Sequence, residues 1–457
     1  MRSPRCAPEF NPTLEIPLRR RTFLLSSAAT LLLAGCGTGD PGSDAGAPAP
    51  SPVAGDENAA ASLVFWSWAE NIQRVVDLWN KKNPTQKVTL SGQAASDELI
   101  AKFLTAVKAG NAPDVLQAEY QSLPTLITNN ALQDLTNVIA PVKSAFPEGT
   151  WNLTSFGGAT YAVPADVGPM MLFYREDLFE KLGLEVPKTW EEFGALAETV
   201  RQKDAKRYLT TFSPGDAGWV AGFAQQAGAN WWSNEKEAWK VAIDDPATRK
   251  VLSFWGGLVN SGAVLGDPMY TPQWNSQMND GTIIAWPSAV WGSGVLAGVA
   301  PSSKGKWKMA PLPQWSASEN VTGFWGGSST AVSATSKQKP QAAKFARWLS
   351  TDPEALKVLV EIGLYPAATL GQTSGGLDTA PEYMTGQPDY YESASKISQT
   401  ARGFDSWGPN TNVTYGQFED QLPTAVKNKA DLAAVATKVQ QASVADLKKQ
   451  GYQVVGG

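Results

Sequence analysis

The chain has 457 residues, with 38 Lys and Arg against 43 Asp and Glu, two cysteines, 18 tryptophans and no histidine. Without imidazole there is no Ser–His or Cys–His catalytic pair and no histidine metal ligand, and two cysteines exclude a disulfide framework or a cysteine metal site. Nucleic-acid binding calls for the opposite charge sign.

Residues 1–35 begin the chain order. Arg19, Arg20 and Arg21 precede the apolar run Thr22–Leu33, which is too short for a membrane span of about 20 residues. A basic flank, a short apolar run and small residues at Ala34 and Gly35 form the layout of an export signal. Leu33-Ala34-Gly35-Cys36 resembles a bacterial lipoprotein box, so Cys36 is expected to carry the lipid. Arg20-Arg21-Thr22-Phe23-Leu24 also resembles a twin-arginine export motif. Residues 1–35 hold five of the basic and two of the acidic side chains, so the rest carries 33 against 41, a net of −8. Residues 36–61, rich in Gly, Pro, Ala, Ser and Asp, read as the lipidated cysteine and a flexible tether reaching roughly 25–30 Å.

From Ser62 onward, strand and helix patterns alternate. Ser62–Trp66 predicts a strand, Ile72, Val75, Val76 and Trp79 a helix ended by Asn83-Pro84, and Val88–Leu90 a second strand. A helix capped by Ser96 and stopped by Gly110 leads to a third strand at Asp114–Gln117. Strands are again expected at Met170–Tyr174, Tyr208–Phe212, Ile283–Trp286, Trp307–Ala310 and Thr330–Ser333. Thr189-Trp190-Glu191-Glu192 is a capping box, and Asp245-Pro246 opens another helix. Capped helices are predicted from near Pro340 and from Asp352-Pro353, and a helical tail over Gln417–Gly451. This alternation predicts an α/β fold built on mostly parallel sheets flanked by helices.

Trp79, Trp190, Trp255 and Trp348 lie on helix faces and read as core. Another set stands where strands end: Trp68 with Glu70, Glu119-Tyr120, Trp219, Trp286, Trp291, Trp325 before Gly326-Gly327, and Trp407. Ligands in open parallel sheets bind beyond the carboxyl ends of strands. An aromatic plane packs on the C–H face of a sugar ring, while Asp, Glu and Tyr serve its hydroxyls. No metal or cofactor is expected.

Four passages carry a family resemblance: the leader, Ala112-Pro113-Asp114-Val115, Tyr161–Met170 with Phe173–Phe179, and Gly326–Ser333 leading into Ala342–Phe345. Pro187–Phe193 adds to them. Together they resemble the family 1 extracellular solute-binding proteins of ABC sugar importers. That resemblance implies a two-lobed type II periplasmic-binding fold with a ligand cleft between lobes: 62–166 and 327–368 in one, 167–326 and 369–457 in the other. It implies a monomer on the outer face of the bacterial cytoplasmic membrane, held there by lipid alone, that captures a sugar by cleft closure and passes it to ABC permease subunits. It places Asp166 and Gly168 at the first crossover and Trp325, Gly326 and Gly327 near a later one, with Asp166, Glu119 and Glu70 accepting sugar hydroxyls.

Two alternatives stand beside it. The same fold could bind a non-sugar solute: Asp166, Glu119 and Glu70 together could suit a cation such as a polyamine, while an amino acid or peptide would need charge partners for both termini. A carbohydrate-active enzyme would use a carboxylate pair, but no local motif supplies one. Gly292–Gly298 misses the dinucleotide spacing by one residue and reads as a helix start.

Overall fold

The computed structural model describes residues 52–92, 96–235, 238–373 and 379–455; the expected leader and Cys36 lie outside them. Within residues 52–61 the expected tether is already part of the body. Val53 is buried and exchanges hydrogen bonds with the Asn137 side chain (3.2 and 2.8 Å), and Gln86 donates to the carbonyls of Glu57 and Ala59. An apolar anchor and satisfied backbone groups fix this stretch despite its loop-like composition.

The sheet starts with β1 (Ala61–Ser67), whose alternate residues Leu63, Phe65 and Ser67 point inward. It pairs in parallel with β2 (Gln86–Gly92) and β3 (Val115–Glu119), in the register Leu63↔Val88 and Phe65↔Val115. Helix α1 (Gln73–Lys82) covers this part with Val75, Val76 and Trp79, and Trp79 meets Phe345 and Trp348 at 5.2 and 5.1 Å.

The longest strand is β4 (Ala162–Arg175), buried along nearly its whole length. Its second half pairs antiparallel with β5 (Ala285–Ala289) and β6 (Trp307–Ala310). Its first half pairs antiparallel with β7 (Phe324–Val332), which pairs antiparallel with β3. The order is β6–β4–β7–β3–β1–β2, with β5 also on β4. Parallel pairing is thus concentrated in β1–β3, and β4 and β7 carry the chain from that part to the rest. A third crossing is made where Val167 N–H donates to Tyr365 O (2.9 Å) and Ala367 N–H to Ala165 O (3.0 Å).

The second half packs around aromatics. Helix α2 (Trp190–Lys203) opens with the predicted capping box: Thr189 Oγ1 accepts from Glu192 N–H and Glu192 Oε2 from Thr189 N–H, both at 3.1 Å. Helices α3 (Ala217–Gln226) and α4 (Pro246–Ser261) pack Trp219 and Trp255 5.0 Å apart, and Trp190 joins them. Such pairs add about 0.5–1.5 kcal/mol each beyond burial. Tyr208–Phe212, expected as a strand, makes only single bridges at Tyr208↔Ile283 and Thr211↔Leu265. Helices α5 (Lys339–Thr351) and α6 (Pro353–Glu361) follow β7; Asp352 caps α6, while Gln338 gives α5 no side-chain cap. The tail is two helices, α7 (Thr411–Lys427) and α8 (Ala433–Lys449), broken where Lys429 takes φ +51°.

Candidate ligand-binding cleft

Five elements converge on a cavity of about 250 Å³. Glu119, Tyr120 and Gln121 stand at the carboxyl end of β3, Asp216 at the start of α3, Phe324 and Trp325 on β7, Trp407 on a loop, and Tyr415 and Glu419 on α7. Asp216 caps α3 because its Oδ1 accepts from Trp219 N–H (2.8 Å). The same oxygen accepts from Trp325 Nε1–H (3.2 Å). Asp216 keeps a partly exposed surface, yet protein crowds it, and desolvation pushes its carboxyl up to about 6 against the opposing bonds from Trp219, Trp325 and Gly218.

Trp325 is held twice, since its carbonyl also accepts from Trp291 Nε1–H (3.1 Å), with the two ring centroids 4.6 Å apart. It sits on a bulge of β7, where the register with β4 shifts between Phe324 and Gly327. Gly326 and Gly327 take φ +74° and +97°, which side-chain-bearing residues avoid. A Cβ on Gly327 would also lie 3.1 Å from Asp166 O and Tyr120 Cε2.

Two donors of side chains beside this cavity are enclosed by protein without an acceptor. Gln225 Oε1 accepts from Phe324 N–H (2.9 Å), but its Nε2 is unpartnered; so is Trp407 Nε1. The carboxylates of Asp216, Glu119 and Glu419 line the same space, with Gln121 Nε2 donating to Glu119 Oε2 (2.8 Å). Acceptors and ring faces therefore surround one small volume.

Of the residues singled out in the sequence, Glu119, Tyr120, Trp325, Gly326 and Trp407 border this cavity. Glu70 and Trp291 border a different one, of about 800 Å³, with Tyr365 and Tyr391. Trp68 packs half-buried against the core. Gly168 and Gly327 are buried in the crossing strands; a Cβ on Gly168 would fall 2.1 Å from Trp325 O.

Three expectations are corrected. Trp219 and Trp286 are fully buried, with Trp219 Nε1–H donating to Pro287 O (2.8 Å) and Trp286 packing on Trp274 (5.2 Å), so both serve the core rather than a ligand wall. Asp166 is buried inside β4 and lines neither cavity. Its Oδ1 accepts a short bond from Ser328 Oγ–H, in a chain with Ser67 and Gln117, and its main-chain carbonyl accepts from Tyr120 OH (2.9 Å). Desolvation pushes its carboxyl up to about 6 against the two bonds from Ser328.

Sequence reading missed Asp216, Gln225, Tyr415, Glu419 and Tyr270. The helix-cap position in Pro214-Gly215-Asp216 is the one available signal for Asp216. Tyr270 is 47% exposed at φ +63° and rests on Trp274 (5.3 Å) and Trp325 (6.4 Å). Crowding by its neighbours, then the charge of Asp216, pushes its phenol well above the ordinary range.

Among the described residues, no group of Cys, Asp and Glu is arranged to hold a metal, and no helix is long and apolar enough to cross a membrane. Residues 66–355 match the family model of bacterial extracellular solute-binding proteins. The chain belongs to that family. An arabinooligosaccharide-binding protein of Halalkalibacterium halodurans is 23% identical over 318 residues, 67% of this chain and 71% of the relative. A lactose-binding protein of Rhizobium radiobacter is 23% identical over 393 residues, 80% and 87% of the two chains. Among solved structures, the galacto-N-biose/lacto-N-biose I-binding protein of an ABC transporter from Bifidobacterium longum, in complex with lacto-N-biose, superposes with a TM-score of 0.79 at 28% identity. The match covers 87% of this chain and 99% of that one. A binding protein from B. animalis subsp. lactis in complex with β-1,6-galactobiose gives 0.77 at 25%, covering 86% and 99%. This solute-binding protein therefore has the two-lobed type II periplasmic-binding fold.

Proposed function

We propose that this solute-binding protein captures a sugar in the cleft at Asp216 and Trp325 and delivers it, unaltered, to the permease of an ABC transporter. The observation that carries the proposal is the cavity wall. Three carboxylates offer acceptors, and Trp325, Trp407 and Tyr415 offer ring faces. A polyhydroxyl ligand supplies hydroxyl donors to the carboxylates and a C–H face to the rings at once. The sugar ligands of the related proteins support it.

On this reading the lobes are 62–166 with 327–368 and 167–326 with 369–457, and a ligand touching both favours the closed form that the permease recognises. The protein acts as a monomer tethered by lipid on Cys36 at the outer face of the cytoplasmic membrane, which raises its concentration at the transporter. A thermal-shift panel of mono- to trisaccharides, amino acids and polyamines tests the ligand class, because only a bound ligand raises stability. Sugars alone are expected to shift the midpoint and to be recovered intact; a shift with polyamines only, or turnover of the sugar, overturns the proposal. Cys36→Ala is expected to bind sugar normally yet be shed from cells.

A further inference from the structure

The two ends of the sheet built on β1–β3 carry opposite charge. Glu70 and Glu119 stand at the carboxyl ends of β1 and β3, where cavities open. At the other end the amino ends of β1, β2 and β3 meet the carboxyl end of β7, and lysines gather there. Lys81 lies in the last turn of α1, just before β2, and Lys87 is the second residue of β2. Lys108 lies in the last turn of the helix Ser96–Ala109, before β3, and Lys337 and Lys339 follow β7 into α5. Hydrogen bonds join these loops. Ala61 N–H donates to Thr85 O (3.0 Å), Ser62 N–H to the Gln338 side chain (2.8 Å) and Ser336 Oγ–H to Asp114 Oδ1 (2.5 Å).

Among the described residues, none of these five lysines has a carboxylate at ion-pair distance, whereas Lys82 beside them pairs with Glu354 (2.6 Å). All but Lys339 are exposed. Of the acids at this end, Glu57 is paired with Arg347 (2.5 Å), and Asp114 accepts from Val64 N–H and Ser336; Asp56 and Asp134 stay without a cation. Lys81 and Lys108 also suit the ends of their helices, whose carbonyls favour a cation. Lys87, Lys337 and Lys339 have no such role. Burial, then the charge of Lys337, pulls the Lys339 ammonium below its ordinary range, as expected of two cations with no anion between them.

The chain from Cys36 joins the body at this same end. Val53 is held by Asn137, and Asp56 O accepts from Gln341 of α5 (2.7 Å). The fifteen residues 37–51 span at most about 50 Å when fully extended. A protein held by lipid on Cys36 therefore keeps its lysine end within that distance of the bilayer.

We propose that this end docks on anionic phospholipid headgroups, so that the body rests on the bilayer with its cleft turned outward. The place on the cell rests on the lipid-anchor reading above; the charge argument does not. The chain beyond residue 35 has a net charge of −8, so an anionic surface repels the body as a whole and attracts it only where the lysines face that surface.

Residues 50–457 form a compact unit of their own, so a protein of that span carries the test with neither leader nor lipid. Sedimentation with vesicles of phosphatidylcholine, with or without phosphatidylglycerol, is expected to show binding only when phosphatidylglycerol is present. That binding is expected to vanish at about 1 M salt, where the Debye length is ~3 Å. A lysine near an anionic surface contributes about fivefold to partition. Lys81→Gln, Lys87→Gln and Lys337→Gln together should therefore weaken binding about a hundredfold, while the same exchange at the exposed Lys188, Lys206 and Lys448 changes it little. Both cysteines of the chain precede residue 50, so a single introduced thiol places a dye. An environment-sensitive dye on Thr85→Cys, at the lysine end, should shift to the blue on the vesicles, and one on Gln121→Cys, at the cavity, should not. Equal binding to both vesicles, equal loss from either set of lysines, or a shift at Gln121→Cys alone overturns the proposal. Retention of the Cys36→Ala protein on cells would remove the anchor reading and leave the vesicle result standing.

Discussion

Asp166→Asn separates the structural role of this carboxyl from a ligand-binding one. Asp166 is buried in β4, and desolvation raises its carboxyl from the usual range near 4 to about 6. Between those values the folded chain keeps a proton that the unfolded chain has lost. Stability therefore falls as pH rises through roughly 4 to 6 and levels off above that window. Two units correspond to about 3 kcal/mol of lost stability at neutral pH. Asparagine still offers an oxygen to the Ser328 hydroxyl and carries no charge. Urea unfolding followed by tryptophan fluorescence, run on both proteins at pH 4 and pH 7.5, gives the difference between them at each pH. The stability of the Asn variant relative to wild type is expected to rise by about 3 kcal/mol from the lower pH to the higher, while sugar affinity at pH 7.5 stays close to wild type. A difference that does not change with pH would refute the claim that Asp166 is ionised at a cost in the fold. A tenfold loss of affinity without a loss of stability would return Asp166 to the ligand site.

Gly168→Ala forces a methyl against the Trp325 carbonyl and Trp291 Nε1, and thermal melts are expected to show about 3 kcal/mol of destabilisation, the upper range for overpacking. Tyr270→Gly relieves a left-handed non-glycine residue, worth roughly 1 kcal/mol, but also deletes a ring that packs on Trp274 and Trp325, so thermal melts are expected to show no net gain; a gain of about 1 kcal/mol would mean that the ring contributes nothing to packing. With its carboxyl titrating near 6 at the cavity wall, Asp216 should make affinity fall between pH 7 and pH 5 as its acceptor charge is lost. In Asp216→Asn, calorimetry should find affinity about tenfold weaker at pH 7.5, as expected for a lost charged hydrogen bond, and nearly flat with pH.

Local chemistry was legible in the sequence and long-range geometry was not. The Thr189–Glu192 box and the Asp245-Pro246 helix start formed as read, because each is closed by atoms a few residues apart. Trp219 was misjudged through a boundary. Asp216 starts α3 at once, which makes Trp219 its third residue and turns it into the core. Trp286 failed in the same way: β5 runs Ala285–Ala289, so the residue taken as a strand end is near a strand beginning. The cavity itself joins Glu119, Asp216, Trp325 and Trp407, residues separated by roughly a hundred positions or fewer at each step but by no local pattern. Which of the strand-end aromatics face one space depends on the β7 bulge, and only Gly326-Gly327 hinted at it.

On the proposed reading, that bulge would tie ligand contact to the hinge. Trp325 is bonded to the half that holds Asp216 and Trp291. Three residues later, Ser328 is bonded to Asp166 and accepts from Gln117 Nε2 (2.9 Å), which belongs to β3. Only Gly326 and Gly327 lie between the two anchors, both at positive φ. If the two halves rotate against one another along β7, these two residues have the least restricted torsions in the strand to absorb it. A ligand resting on Trp325 bears on one end of that short segment. On that reading, loosening Asp216 or Trp291 is expected to cost affinity by freeing the Trp325 ring that they hold.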